Sequence, residues 1–250
     1  MMQELHRHDF YYILALKKGA GDHDIDFTPY KICDNTVFFM RPGQVHRLVL
    51  KAGSAGYLMQ FRDECYSPHD GASGQRLRKA SNINHYQLEE DRFQKLLAIL
   101  AYICQEYADK QEGYQEVIKG NLGIFFIELT RQNTSSPSID AGTYVQERLE
   151  AFLELLDVHI ASHRQVSQYA EMLGLSPYQL NAITKAALRK TCSECINDRI
   201  ILESKRYLLA TSEQVNQIAD HLGYEDPSYF IRFFKKHTGY SPEAFRHNFR

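Results

Sequence analysis

Two stretches of this chain share one design: Val166-Ser167-Gln168-Tyr169-Ala170-Glu171-Met172-Leu173-Gly174-Leu175-Ser176-Pro177-Tyr178-Gln179-Leu180 and Val215-Asn216-Gln217-Ile218-Ala219-Asp220-His221-Leu222-Gly223-Tyr224-Glu225-Asp226-Pro227-Ser228-Tyr229-Phe230. Each reads as a short helix carrying Ala, then Leu-Gly, then a polar cap, then Pro opening a second helix. Ala170 and Ala219 are small where two helices must approach closely. Gly174 and Gly223 end the first helix, at a position needing a left-handed backbone that Gly adopts cheaply. Ser176 and Asp226 are N-cap residues, and Pro177 and Pro227 stand at the first helical position, where a missing N–H costs nothing. One helix-turn-helix of this kind also occurs as plain packing; two copies 49 residues apart make coincidence a poor explanation.

In such a pair the second helix enters the DNA major groove. From Ile218-Ala219 through Leu222-Gly223-Tyr224-Glu225-Asp226-Pro227-Ser228-Tyr229-Phe230-Ile231-Arg232-Phe233-Phe234-Lys235-Lys236-His237-Thr238-Gly239-Tyr240-Ser241-Pro242-Glu243-Ala244-Phe245-Arg246, the chain resembles the C-terminal signature of the AraC/XylS transcription regulators. Arg199 to Leu209 resembles the long helix that joins the two reading heads in that family. The resemblance covers roughly residues 145 to 250. It implies sequence-specific binding of double-stranded promoter DNA, with base contacts at the matching positions Tyr178, Asn181 and Ala182, then Ser228, Tyr229 and Arg232. Asn suits adenine and Arg suits guanine through paired hydrogen bonds, each worth about 1–3 kcal/mol of discrimination. Lys185, Arg189, Lys190, Lys235 and Lys236 are read as phosphate contacts that set register. One departure stands out: Leu188-Arg189 occupies the place where the family has Thr-Gly after the first recognition helix.

Composition neither demands nor forbids this. The chain has 250 residues, 29 basic and 31 acidic, for a net charge of -2, so no bulk positive charge advertises a nucleic-acid partner. From Lys185 onward there are 11 basic and 8 acidic residues, a local excess of +3. The longest apolar runs, such as 96–101, fall far short of the roughly 20 residues of a membrane span, and the polar start lacks a signal-peptide core. Five scattered cysteines suit reduced thiols. A cytoplasmic protein with no membrane partner is expected.

Residues 5 to about 66 read as short strands: Phe10–Leu16, Ile25–Phe27, Tyr30–Cys33, Thr36–Met40, Val45–Leu50 and Tyr57–Phe61, with 17–21 as a turn. The region 66–84 is polar and Gly/Ser-rich and reads as a mobile loop. Steps of three and four then mark a helix through Phe93, Leu96, Leu97, Leu100, Ile103 and Tyr107, and a second follows through Val117, Phe125, Phe126 and Leu129. Asn133 to Ser138 is the best domain boundary. The expected fold is α+β: a cupin-like β-barrel sensor at 1–83, a helical dimerisation or relay segment at 84–132, a linker at 133–143, and an all-α DNA-binding domain at 144–250 with two helix-turn-helix modules joined by a long helix.

His6-Arg7-His8-Asp9-Phe10-Tyr11, Gly19-Ala20-Gly21 and Pro42-Gly43-Gln44-Val45-His46 resemble the cupin-type sensor domain of the same family, with any N-terminal arm of longer relatives short or missing. The resemblance implies a small-molecule effector, and His8, Tyr12, Phe39 and His46 are its candidate contacts; filling the core is the equal alternative. Enzymatic cupins hold a metal with three His and a Glu. Here His6, His8 and His46 match while Tyr12 stands at the Glu position, so the expectation is a remnant without an ion and no cofactor. Cys192-Ser193-Glu194-Cys195 has no second ligand pair for zinc. The expected function is a non-enzymatic, effector-controlled, homodimeric regulator, meeting RNA polymerase if it activates. The alternatives are a metal-dependent cupin enzyme fused to a DNA-binding module and an effector-independent regulator.

Overall fold

The computed structural model describes residues 2–66, 71–131 and 143–249, which fall into two compact units, Met1–Pro137 and Ser138–Arg250. The linker expected at 133–143 lies almost wholly outside the described residues.

The first unit begins with seven strands, β1 (Met2–Arg7), β2 (Tyr11–Lys18), β3 (Gly21–Ile25), β4 (Thr28–Ile32), β5 (Thr36–Met40), β6 (Val45–Leu50) and β7 (Ala55–Phe61). Helix α1 (Gly71–Ser81), strand β8 (His85–Gln87) and helices α2 (Glu90–Asp109) and α3 (Tyr114–Thr130) follow. Two antiparallel four-stranded sheets form, in the orders β1-β6-β3-β4 and β7-β2-β5-β8.

Strands β2 and β5 are apolar on both faces because each face has a cover. Tyr12, Leu14, Leu16, Phe38 and Met40 point between the sheets and meet Ile25, Ile32 and Leu48. The alternating residues Ile13, Ala15, Val37 and Phe39 point outward into a second core with Leu77, Phe93, Leu96, Leu100, Leu122, Phe125, Phe126 and Leu129 of the helices. The period of two along each strand thus sorts side chains into two separate cores.

Four sequence expectations need correction here. The expected loop at 66–84 contains α1. Only Gly74, Leu77, Ala80 and Ser81 of that helix are buried, too thin a stripe to register as periodicity, and packing overrides the poor helix propensity of its glycines and serines. Ile25–Phe27 is not all strand: Asp26 and Phe27 have φ of 47° and 66°, a two-residue hairpin turn between β3 and β4. Asp26 holds that turn by accepting hydrogen bonds from Val45 N at 3.2 Å and from Gln44 Nε2 at 2.6 Å. The division at 83/84 is not structural, since β8 pairs with β5 and α1 to α3 share a core with the sheet. Finally, the dimerisation expected of the segment 84–132 cannot run through Leu96 and Leu100 of its first helix, which are 0% and 2% exposed in that core.

Among its described residues the second unit has helices and no strands: α4 (Thr143–His159), α5 (Val166–Met172), α6 (Pro177–Leu188), α7 (Cys192–Ala210), α8 (Val215–His221), α9 (Pro227–Thr238) and α10 (Pro242–Phe249). Phe152, Tyr169, Leu180, Ile196 and Ile200 are buried around the first helix pair, and Leu208, Ile218, Phe230, Phe234 and Phe245 around the second. α7 runs between them. Its Arg199 pairs with Asp157 of α4 at 3.1 Å and with Glu203 at 2.9 Å, and buried Arg206 joins Glu203 at 2.5 Å. Arg246 of α10 donates to the carbonyls of Leu208 and Glu213 and so closes the C-terminal end of α7.

Candidate nucleic-acid interface and sensor site

The two helix-turn-helix copies share their turn chemistry. In the first, Leu175 N donates to Ala170 O at 2.8 Å; in the second, Tyr224 N donates to Ala219 O at 2.8 Å. Gly174 and Gly223 supply the left-handed residue, with φ of 64° and 73°. At Gly223 a side chain is also excluded by space, because a Cβ would lie 1.9 Å from Ala161 O. Ser176 accepts from Gln179 N and Asp226 accepts from Ser228 N, capping α6 and α9 behind their proline first residues. Arg164 reaches across from the start of the first module, donating to Gly223 O and stacking 4.2 Å over the Tyr224 ring. That contact ties the turn of the second module to the first, and no sequence signal announced it.

The recognition helices bury one face and present the other. Leu180 and Ile183 of α6 and Phe230 and Phe234 of α9 are buried, with Phe233 partly so. Tyr178 is 83% exposed, and Ala182, Lys185 and Arg189 lie open on α6 and at its end. On α9, Ser228, Tyr229, Arg232, Lys235 and Lys236 are exposed, with the Arg232 guanidinium 4.0 Å from Asp226. All five therefore stand where a groove or phosphate could meet them.

Two α6-side residues are placed differently. Asn181 is half-buried; its Nδ2 donates to Pro177 O at 3.0 Å and its Oδ1 accepts from Cys192 N at 2.9 Å. It supplies an acceptor to the first N–H of α7, so its amide is spent inside the module rather than held out for adenine. Lys190 pairs with Asp198 at 2.6 Å, the carboxylate raising its pKa, so a phosphate contact would have to replace that partner.

Arg189 follows α6 with φ 59° and ψ 22°, and Gly239 follows α9 with φ 82°. The backbone keeps the left-handed exit that the family's Gly would take, and Arg is forced into it. The Cys192 and Cys195 thiols are buried, and burial lifts both pKa values, that of Cys192 to about 12; they sit in α7 as core groups rather than nucleophiles.

In the first unit, β1 pairs with β6 so that His6 lies opposite His46. The Nε2 atoms of His6, His8 and His46 stand 3.0, 3.1 and 3.1 Å apart. His46 shares its strand face with Leu48 and points into the sandwich. His23 of β3, on the same face as Ile25, places its Nε2 2.9 Å from His46 Nδ1. Sequence reading overlooked His23, although its alternation with Ile25 was a usable signal. Burial, then His85 at His23, and burial, then His23 at His46, lower these two pKa values to about 3; both rings are neutral. Tyr12 is 1% exposed, its ring 5.2 Å from that of His46 and 5.9 Å from that of His8, and burial raises its pKa to about 12. Among the described residues Tyr12 Oη and His23 Nδ1 find no hydrogen-bond partner. Of the four effector candidates, His8, Tyr12 and His46 thus meet. Phe39 does not: it faces the helices, 5.5 Å from the Phe126 ring, because it is one residue out of phase with Phe38 and Met40.

No helix among the described residues is long and apolar enough to cross a membrane. Residues 2–99 match the family model described as an AraC-like ligand binding domain, and residues 169–248 match a helix-turn-helix domain. The chain is 23% identical over 255 residues to the HTH-type transcriptional activator RhaS of Pectobacterium carotovorum subsp. carotovorum, covering 97% of this chain and 87% of that protein. It is 26% identical over 265 residues to the RhaS of Escherichia coli O157:H7, covering 96% and 86%. A solved structure of an apo ToxT variant from Vibrio cholerae aligns over 99% of this chain and 93% of its own, at 17% identity and a TM-score of 0.44. With a ligand-binding domain before a paired helix-turn-helix, and relatives that run nearly its whole length, the chain belongs to the AraC family of DNA-binding transcription regulators.

Proposed function

We propose that α6 and α9 enter successive major grooves of promoter DNA, about one helical turn apart, and that a small effector bound near His8, Tyr12 and His46 controls the outcome. Tyr178 and Ala182 of α6, and Ser228, Tyr229 and Arg232 of α9, read bases. Lys185, Arg189, Lys235 and Lys236 meet phosphates, and Lys190 joins them by exchanging Asp198 for a phosphate. The observation that carries this reading is the repeated module, whose two second helices bury their apolar faces and leave these polar and basic residues exposed. The protein acts in the cytoplasm as a regulator without catalytic activity, as a homodimer, and contacts RNA polymerase where it activates. The exposed side of α3, with Ile124 at 51% and Ile127 at 37%, supports a seam there in place of Leu96 and Leu100.

The test is selection of bound duplexes from a random library with wild type and Arg232→Ala side by side. An enriched motif of two patches one turn apart, relaxed in one patch by the variant, supports the reading. Equal motifs from both proteins would remove Arg232 from base contact, and no enrichment with or without cell extract as an effector source would remove the proposal.

A further inference from the structure

The histidine triangle is too symmetric to be held by protons. Each Nε2 carries either a proton or a lone pair, so of three at least two are alike. At least one of the contacts at 3.0, 3.1 and 3.1 Å must then set proton against proton or lone pair against lone pair. His6 goes further: its Nδ1 lies 2.6 Å from Glu4 O, a pure acceptor, so Nδ1 carries the proton and Nε2 of the neutral ring offers a lone pair. Beside it, His23 engages Nδ1 of His46 at 2.9 Å, the outer contact that orients a ligating imidazole. An ion about 2.0–2.1 Å from each of three nitrogens so spaced would subtend N–ion–N angles of roughly 95°, within reach of a facial three-histidine site.

We propose that Nε2 of His6, His8 and His46 together bind one divalent first-row transition-metal ion at the end of the sandwich interior where β1 meets β6. An all-imidazole set selects this class over calcium or magnesium, which take oxygen ligands. This departs from the metal-free expectation, which sets the absent carboxylate at Tyr12 against the matching histidines; the spacing of their Nε2 atoms is what weighs the other way. Three protein ligands leave further positions for water or for oxygen donors of an effector. The proposal concerns ion binding alone, so it stands or falls separately from DNA reading by α6 and α9.

The experiment uses full-length protein stripped with a chelator, then titrated with zinc and, separately, with cobalt(II). One ion per chain is expected, with loss of at least tenfold in affinity in His6→Ala and in His8→Ala, both half-exposed positions whose fold circular dichroism checks. His159→Ala, which breaks the surface pair with His163, should bind as wild type does. In wild type, zinc should also shift the nitrogen-15 signals of the three Nε2 atoms, a readout needing no variant. Absence of a stoichiometric ion at tens of micromolar, unshifted Nε2 signals, or undiminished binding in both His6→Ala and His8→Ala would overturn the proposal.

Discussion

Replacing Arg189 with glycine should stabilise the helical unit, although it deletes a charged side chain near the expected DNA face. Arg189 sits at φ 59°, ψ 22° just past α6, in the left-handed region where an L-residue pays about 1–2 kcal/mol. Glycine removes that strain but loses about 0.4–1 kcal/mol through its freer unfolded chain. The net gain is about 0.5–1 kcal/mol, which for a domain near 100 residues raises Tm by roughly 2–6 °C. The side chain is exposed, so no buried contact opposes the change. Thermal unfolding followed by circular dichroism should show the gain in Arg189→Gly and almost none in Arg189→Ala, which keeps the strain and loses the charge. Equal shifts in the two variants, or a lower Tm in Arg189→Gly, would refute the argument that backbone conformation is the cost. The reverse change, Gly239→Ala, should lower Tm by strain alone, because a Cβ there has nothing within 4 Å.

Asn181→Ala should cost about 1–2 kcal/mol in urea denaturation, since Cys192 N loses its acceptor. Its selected DNA motif should match the wild type at the first patch; relaxed sequence there would show that the amide turns outward on binding. Leu96→Asp should unfold the first unit, because burying an unpaired carboxylate in a closed core costs several kcal/mol. Ile124→Glu should leave the fold intact and weaken self-association in sedimentation. A folded Leu96→Asp protein would contradict the packing of α2.

Elements governed by local chemistry were legible in the chain alone. Gly174, Ser176 and Pro177, and their counterparts Gly223, Asp226 and Pro227, act through backbone angles and caps within a few residues of themselves. Both modules could therefore be placed to the residue. Strands β5 and β6 were equally plain, being short apolar runs bounded by turn residues. Helix α1 was not, because its polar sequence becomes helical only with Leu77 and Ala80 packed under α3.

Side-chain destinations depend on partners distant in sequence, and there the tertiary structure decided. Phe38 and Phe39 are neighbours of like chemistry, and which one faces the sandwich interior follows from strand register. Asn181 looked free until α7 placed Cys192 N against it. His6, His8, His23 and His46 come from three strands and a loop, and pairing of β1 and β3 with β6 is what gathers them. The amino-acid sequence by itself determined the two helix-turn-helix modules, since turns and caps are local, and its resemblance to the AraC/XylS regulators implied DNA binding. That Asn181 is turned inward to Cys192 N, and that His23 joins the three matched histidines, only long-range packing could decide.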